Sequence, residues 1–312
     1  MLPRPDVHRR VLDWYAAEGR FLAFRETRDP WAILVSEFMA QQTQAARAAE
    51  AWGRFLVEFP TPASLAEASP ADVLRAWRGL GYNRRALALR DAAIRIVDEH
   101  GGRVPDDLEA LRRLPGVGPY TARAVAALAF GRPVGAVDTN VRRVLGRVLG
   151  GVAGTELRAL QVAADALVPS DRPGLWTHAL MDIGATFCKP RNPRCAECPM
   201  QPWCRFAAEG PAAETSTAAA SAKPASRAAR TRGSRASSTA GRSEPFRSTS
   251  RWLRGRILDR LRDSTGGTWV AFDEPIGDHD PATVAAVLNR LARDRLVELR
   301  DGSPIEARLP EA

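Results

Sequence analysis

The stretch LPGVGPYTARAVAALAF, residues 114–130, decides the fold of this 312-residue chain. It begins with two glycines two positions apart, and a turn of that kind lets backbone N–H groups approach a phosphate closely. The residues from Pro119 or Tyr120 onward predict a helix, whose positive N-terminal end favours the same anion. We therefore expect two helices joined by a tight turn, which either binds a phosphate or only connects the helices. The turn residues are Gly116, Val117 and Gly118.

A carboxylate follows about twenty residues later, in VGAVDTNVRRVLGRV, residues 134–148. Asp138 comes after a small apolar run and before a predicted helix, a position typical of a helix N-cap. The same side chain suits the cleavage of an N-glycosidic bond, because that reaction builds positive charge on the sugar and a fixed carboxylate stabilises it. The two interpretations are compatible, since a capping site holds a catalytic carboxylate rigidly.

A second carboxylate lies upstream, in SEFMAQQTQAARA, residues 36–48. Glu37 lies among apolar residues of a predicted helix, and burial there raises the pKa of a carboxyl group. A glutamate that keeps its proton near neutral pH can protonate a leaving base. On a helix Glu37 and Gln41 share a face, so we expect their side chains to lie together. For this segment alone, an ordinary surface glutamate is the alternative.

All four cysteines fall within CKPRNPRCAECPMQPWC, residues 188–204, spaced C-x6-C-x2-C-x5-C. In a reducing compartment, clustered cysteines are more often metal ligands than disulfides. A four-cysteine zinc site usually combines two CxxC segments, and this loop has one. A compact loop with four thiolates fits a [4Fe–4S] cluster better, with zinc as the alternative. The expected ligands are Cys188, Cys195, Cys198 and Cys204.

Together these segments resemble a large superfamily of helix-hairpin-helix DNA glycosylases. The cysteine spacing is similar to the iron–sulfur loop of the endonuclease III and adenine glycosylase families. SEFMAQQTQ resembles the adenine glycosylase motif that bears a catalytic glutamate. The resemblance covers roughly residues 5–206. It implies an all-α helix-hairpin-helix glycosylase fold with an iron–sulfur loop, and hydrolysis of the N-glycosidic bond of adenine mispaired with 8-oxoguanine or guanine.

The resemblance also implies roles for particular residues. Glu37 protonates adenine at N7, and Asp138 supports the cationic sugar. GLGYN, residues 79–83, resembles a GLGYY segment whose tyrosine is a wedge beside the damaged guanine. A core or helix-end tyrosine is the alternative for this position. The residues that the resemblance places against DNA are Gln41, Gln42, Thr43 and Tyr82.

Tyr120 stands where endonuclease III has a catalytic lysine, directly after the hairpin turn. That lysine forms a Schiff base with the sugar, which a tyrosine cannot do. The resemblance therefore implies a monofunctional glycosylase that uses water and leaves an abasic site. We expect Tyr120 to hydrogen-bond Asp138 or the sugar region, or simply to pack.

Three features depart from the adenine glycosylase pattern. An LPWR segment of that family reads Leu-Ala-Phe-Arg here at residues 22–25, MLQQT reads MAQQT, and GLGYY ends in Asn83. In addition, residues 207–312 do not resemble the Nudix-like domain with which many adenine glycosylases end. These departures leave two alternatives: a thymine or uracil glycosylase acting opposite guanine, and a non-catalytic iron–sulfur protein that binds DNA or senses redox state. The presence of both Glu37 and Asp138 argues against the non-catalytic alternative.

The remaining chain predicts two further segments beside the glycosylase domain of residues 1–206. Residues 207–247 are rich in Ala, Ser and Arg and lack the apolar residues that a core needs, so they predict a disordered basic linker. Residues 248–312 read as helix, helix and β-hairpin, with Asp280 as an N-cap. This order resembles a small winged-helix-like α+β module, which binds either DNA or protein.

The composition fits a nucleic-acid partner. The formal net charge is +9, and the sequence pI is about 10.3. Such a balance suits a polyanion, although an arginine-rich proteome would also produce it. No apolar run is long enough to span a bilayer, and the first residues lack the apolar core of a signal peptide. We expect a monomer in the cytoplasm, associated with the nucleoid, that binds double-stranded DNA with a mismatched or oxidised base pair and no membrane.

Overall fold

The computed structural model of the chain describes residues 4–210, 246–300, 302 and 304–311. These residues form two compact units, one within residues 1–213 and the other within residues 214–311. Most of the predicted linker lies outside the described residues. Within the described part of the chain, no helix has both the length and the apolar character needed to cross a membrane.

The first unit is helical, as predicted. Its helices are α1 (Arg4–Glu18), α2 (Pro30–Ala40), α3 (Ala45–Glu58), α4 (Pro62–Glu67), α5 (Pro70–Ala76), α6 (Arg84–His100), α7 (Leu108–Arg113), α8 (Pro119–Ala129), α9 (Thr139–Gly150), α10 (Leu157–Leu167), α11 (Pro173–Thr186) and α12 (Arg205–Glu209). Several begin with proline after a capping side chain, which satisfies the free N–H groups of the first turn. For α2, the Asp29 carboxylate accepts hydrogen bonds from Trp31 N and Ala32 N, both 3.2 Å away. The last helix continues three residues past the predicted domain end at 206.

Helix α2 is the central element of this unit. Residues 31–39 are buried on all sides of the helix, which packs on α3, α6 and α8. The predicted hairpin consists of α7, a turn and α8, which begins at Pro119. A Cβ on Gly116 would lie 2.7 Å from the ring of Phe38, and the φ of Gly116 is +75°. Glycine is therefore required here, because it lets the hairpin turn rest directly on α2.

A second hydrophobic cluster joins α1, α9, α10 and α11. It includes Val11, Leu145, Trp176 and Ile183, all nearly inaccessible to solvent. The cysteine loop packs against this cluster through Met200 and three of its cysteines. The cysteine loop thus packs on a cluster formed largely by helices that follow the hairpin in sequence, α9, α10 and α11.

The apolar pattern of PADVLRAWRGLGY predicts a helix that is longer than the observed one. Helix α5 ends at Ala76, because Gly79 and Gly81 adopt left-handed conformations with φ of +86° and +67°. The GLGY segment is therefore a turn that leads into α6. This turn exposes Tyr82, which is 51% accessible and therefore not a core residue. Tyr82 lies directly before Asn83, the N-cap of α6, so the helix-end alternative remains.

The second unit contains α13 (Ser250–Asp263), β1 (Val270–Ala271), α14 (Pro281–Arg293), β2 (Glu298–Arg300) and β3 (Glu306–Arg308). The predicted helices and hairpin are present, and Asp280 caps α14 by accepting from Thr283 N at 2.7 Å. The sheet is antiparallel in the order β1-β3-β2, with Ala307 of β3 opposite both Val270 and Leu299. Strand β1 was not predicted, because two residues are too short for an alternating pattern.

Candidate active site

Glu37 is buried within α2, with only 9% of the residue exposed. Burial raises the pKa of its carboxyl group to about 7, and the negative charge of Asp138 adds to this effect. A hydrogen bond from Tyr120 and the positive charge of Arg25 act in the opposite direction but do not outweigh it. The predicted rise in pKa is confirmed. At neutral pH this carboxyl group can therefore both donate and accept a proton.

Tyr120 is the second residue of α8, and its hydroxyl group donates to the Glu37 carboxyl group. Glu37 is not among the alternatives that the sequence offers for Tyr120, which are Asp138, the sugar region or simple packing; the contact arises because α8 packs directly on α2. Burial and the nearby carboxylates of Glu37 and Asp138 raise the pKa of Tyr120 well above its usual value. The phenol stays protonated and is a hydrogen-bond donor, not a nucleophile.

Asp138 is the N-cap of α9, as predicted. Its Oδ1 accepts from Val141 N at 2.6 Å, and its Oδ2 accepts from the Asn140 side chain at 2.9 Å. Both carboxylate oxygens are thus held, which fixes the orientation of the group. The residue is half-buried, and its charge acts on both Glu37 and Tyr120. Fixed negative charge at this point suits the stabilisation of a cation that forms beside it.

A series of hydrogen bonds through Asn140 and Arg143 connects Asp138 to the cysteine loop. Arg143 donates from NH2 to Asn140 Oδ1 at 2.9 Å and to the Gly184 carbonyl at 2.7 Å. Its Nε donates to the Cys188 carbonyl. Only one of these hydrogen bonds can be predicted from the sequence, the one between Asn140 and Arg143, because residues three apart on a helix are neighbours. The partners on α11 and on the loop lie more than forty residues away in sequence, and no local pattern indicates them.

The four cysteines form no disulfide with one another, and they line one cavity with apolar side chains of α9 and α12. Arg147 lies on the same cavity, with its NH1 3.6 Å from Cys188 Sγ. In the described residues, no group of three or more His, Cys, Asp or Glu side chains is arranged to hold a single metal ion. Four thiols around a shared cavity, with a guanidinium beside one of them, form a donor set that fits a [4Fe–4S] cluster.

A cleft of about 290 Å³ lies beside Glu37. Its lining includes Arg25, Ser36, Phe130 and His178. Burial and the charge of Arg25 lower the pKa of His178 to about 3, so the imidazole is neutral. A neutral imidazole offers one donor and one acceptor, which suits the polar edge of a heterocyclic base. The sequence did not indicate His178, because a single histidine on a mostly buried helix carries no local signal.

Asp182 holds Arg25, one of the residues that line this cleft, in place. The Asp182 side chain is fully buried and accepts from Arg25 NH1 and NH2, each at 2.9 Å, and from Arg20 N and Nε at 2.9 and 2.8 Å. Burial opposes ionisation of Asp182, yet the hydrogen bonds from the two arginines outweigh it and lower the pKa of Asp182. Arg25 is thus fixed beside Glu37, with 5% of its side chain exposed.

Three of the residues that the resemblance places against DNA lie just beyond the end of α2. They are Gln41, Gln42 and Thr43. Helix α2 stops at Ala40 with Gln41 as its C-cap, so Gln41 does not continue the helix as predicted. Gln41 instead lies 3.4 Å from Thr121 Oγ1 through its side-chain nitrogen. Gln42 is exposed with φ of +55°, and Thr43 Oγ1 lies 3.5 Å from the Leu80 carbonyl. This contact places the segment beside the turn that carries Tyr82.

The hairpin turn meets its prediction only in part. Gly116 and Gly118 are exposed, and Gly118 is the N-cap of α8. Val117 is buried, and its N–H donates to the Leu114 carbonyl at 3.1 Å inside the turn. The N–H predicted to face a phosphate at this position is therefore already engaged. The two glycines and the start of α8 form the surface that an anion can approach.

Two family models match the chain. Residues 35–161 match the HhH-GPD superfamily base excision DNA repair protein, and residues 188–204 match the iron-sulfur binding domain of endonuclease III. The adenine DNA glycosylase of Mycolicibacterium smegmatis is 39% identical over 291 residues, which cover 92% of this chain and 91% of that protein. The thymine/uracil-DNA glycosylase of Methanothermobacter thermautotrophicus is 32% identical over 200 residues, or 63% of this chain and 90% of that protein. A solved thermostable thymine-DNA glycosylase covers 66% of this chain and 97% of its own length, with 31% identity and a TM-score of 0.62.

Proposed function

Because the chain belongs to the adenine DNA glycosylases of the HhH-GPD superfamily of base excision DNA repair proteins, we propose that it acts on adenine mispaired with 8-oxoguanine or guanine. It binds double-stranded DNA as a monomer and hydrolyses the N-glycosidic bond of that adenine. The observation that carries the proposal is Glu37, a buried carboxyl group with a pKa of about 7 beside a cleft of about 290 Å³. As an enzyme of DNA repair, it acts at the nucleoid.

The first step is protonation of the extruded base. An enzyme that acts on a base in a duplex has to flip the nucleotide out of the stack. The cleft receives the base, and neutral His178 contacts its polar edge. Protonated Glu37 then transfers its proton to N7 of adenine, which makes the base a better leaving group. Tyr120 holds the Glu37 carboxyl group in place while the proton leaves.

The second step is departure of the base and attack of water. Cleavage of the bond between C1′ and N9 releases neutral adenine and leaves an oxocarbenium-like sugar. Asp138, held by Val141 N and Asn140, stabilises that cation without forming a bond to it. Water adds to C1′, and the Glu37 carboxylate takes up the proton that water loses. The enzyme returns to its starting protonation state, and the DNA carries an abasic site.

The position of Tyr120 supports a monofunctional enzyme. Its phenol donates to Glu37, and its pKa is well above the usual value. A Schiff base with the sugar requires an amine, so the strand remains intact after base release.

The DNA-binding surface that we propose combines one backbone site with four side chains. Gly116, Gly118 and the start of α8 bind a phosphate. The side chains that enter or flank the opened base pair are Gln41, Gln42, Thr43 and Tyr82. The net charge of +9 strengthens the non-specific part of the binding.

The cysteines of residues 188–204 bind the iron–sulfur cluster, in agreement with the matching family model. When bound, the cluster supplies a rigid cross-link of four thiolates within one loop. Arg143 and Arg147, which donate to the carbonyls of Cys188 and Lys189, carry that rigidity to α9. Helix α9 in turn begins at Asp138.

A second candidate is removal of thymine or uracil opposite guanine, which the similarity to the thymine/uracil-DNA glycosylase favours. The experiment that decides is single-turnover base release from four duplexes, which carry A opposite 8-oxoguanine, A opposite G, T opposite G, and U opposite G. We expect free adenine from the first two, and strand breaks only after alkali. Release of a pyrimidine supports the second candidate, and breaks without alkali refute the monofunctional mechanism.

A further inference from the structure

Arg85, the second residue of α6, lies between the end of α2 and the turn that carries Tyr82. Its NH1 lies 2.7 Å from the Phe38 carbonyl and 3.2 Å from the Met39 carbonyl, and it also donates to Gln41 O. These are carbonyls at the C-terminal end of α2, which have no partner within the helix. The guanidinium group therefore caps the helix that carries Glu37.

The other side of the same guanidinium group holds the neighbouring segments. Arg85 NH2 donates to Thr43 Oγ1 at 3.1 Å and lies 3.3 Å and 3.4 Å from the carbonyls of Leu80 and Gly81. Its Cζ lies 5.3 Å from the ring centre of Tyr82, within the range of a cation–π interaction. One side chain thus contacts α2, the segment after it and the Tyr82 turn.

Both exposed residues beside Arg85 have strained backbones. Gln42 has φ of +55° and Tyr82 has φ of +44°, a left-handed conformation that residues other than glycine rarely adopt. Such a conformation persists only where the surrounding structure enforces it, and it is found mainly at functional sites. Arg85 binds the carbonyl of Gln41 and that of Gly81, and these are the peptide groups directly before the two strained residues.

We infer that Arg85 is a positioning residue that fixes Gln42 and Tyr82 in the conformation that opens the DNA, in register with Glu37. The inference rests on the proposed function. A wedge that is ordered before binding loses little entropy on entering the base stack, whereas a mobile wedge has to be ordered at that moment. Lysine keeps the positive charge at this position. It cannot contact both the end of α2 and the Tyr82 turn, because its ammonium group is compact and lacks the planar, forked donors of arginine.

The test compares Arg85→Lys with the wild type and with Arg90→Lys. Arg90 is a matched control, because it is a half-buried arginine on the same helix whose Nε donates to the Ala68 carbonyl at 2.7 Å. A duplex with 2-aminopurine next to a non-hydrolysable adenine analogue opposite 8-oxoguanine reports opening of the stack by fluorescence. We expect Arg85→Lys to lose most of the fluorescence increase and to bind the mispair about thirtyfold more weakly, as fits the loss of one or two hydrogen bonds from a charged donor.

A purely structural role for Arg85 predicts a different result. The fluorescence increase and the affinity would then follow the wild type once the folded fraction, measured by thermal unfolding, is taken into account. That result, or equal behaviour of Arg85→Lys and Arg90→Lys, overturns the inference. If Arg85→Lys does not fold, the variant Thr43→Val replaces it. Thr43→Val removes the hydroxyl group that accepts from Arg85 NH2 and leaves the hydrogen bonds of Arg85 to α2 intact. It is expected to reduce the fluorescence increase by a smaller factor. An unchanged increase in that variant likewise overturns it. Absence of adenine release by the wild-type protein refutes the proposed function instead, and the fluorescence comparison still decides the role of Arg85.

Discussion

Replacement of Glu37 by glutamine is expected to stabilise the folded protein above neutral pH. Burial raises the pKa of Glu37 from 4.5 to about 7. Each pKa unit corresponds to about 1.4 kcal/mol, so the ionised carboxylate lowers the free energy of unfolding by about 3 kcal/mol. Glutamine retains the shape of the side chain and an oxygen that accepts from Tyr120. It has no proton to lose, so the variant avoids this penalty.

The pH dependence follows from proton binding in the two states. Below about pH 4.5 the carboxyl group is protonated in both the folded and the unfolded chain, and it contributes no pH dependence. Between about pH 4.5 and pH 7 the folded protein keeps the proton that the unfolded chain has lost, so wild-type stability falls as pH rises. Above about pH 7 both states are ionised, and the penalty is complete. The advantage of Glu37→Gln therefore grows over this window and then stays constant.

The measurement is urea unfolding of the cluster-loaded full chain by circular dichroism, from about pH 5 to about pH 8. The control is Glu50→Gln, because the Glu50 side chain is 74% exposed and lies in water in both states. We expect the free energy difference between Glu37→Gln and the wild type to grow by about 2.5 kcal/mol across this range, while Glu50→Gln follows the wild type. If the difference for Glu37→Gln does not change with pH, burial does not raise the pKa of Glu37 in the folded protein.

Three further predictions follow from the same structure. Asp138→Asn keeps a helix cap but removes the charge, so single-turnover base release should fall about 100- to 1,000-fold with DNA affinity retained; a loss of less than tenfold contradicts the electrostatic role. Cys198→Ser should lower the iron content and the visible absorption of the purified protein, whereas full iron loading would exclude it as a ligand. Gly116→Ala should lower the free energy of unfolding by about 1–3 kcal/mol, because its Cβ meets Phe38 at 2.7 Å; Gly118→Ala, with no atom within 4 Å of its Cβ, should cost less in the same urea titration.

The sequence predicts those parts of the site that depend on local patterns. The spacing of the cysteines, the capping position of Asp138 and the apolar neighbours of Glu37 each lie within a few residues, and short-range geometry decides them. The hairpin turn also follows from its glycines. For Tyr82, the resemblance to a known motif indicates a wedge, and its 51% exposure agrees with that position.

Other features depend on contacts between distant segments and have no local signal. Asp182 binds Arg20 across 162 positions, and Arg85 binds Phe38 across 47. The end of α2 shows the consequence, since the sequence predicts that Gln41 continues the helix. Arg85 instead binds the last carbonyls of α2, and the chain turns away after Ala40. Arginine side chains that bind backbone carbonyls are difficult to predict, because any arginine in the chain could supply the donor.

In the proposed mechanism, protonated Glu37 drives the release of adenine. The most direct measurement is the single-turnover rate of adenine release opposite 8-oxoguanine, with enzyme in excess, as a function of pH. With a pKa of about 7 for Glu37, the rate should be constant at lower pH and decline tenfold per unit above about pH 7. Glu37→Gln should show no measurable release at any pH. A wild-type rate that stays level or rises well above pH 7 while the DNA remains bound would contradict this mechanism.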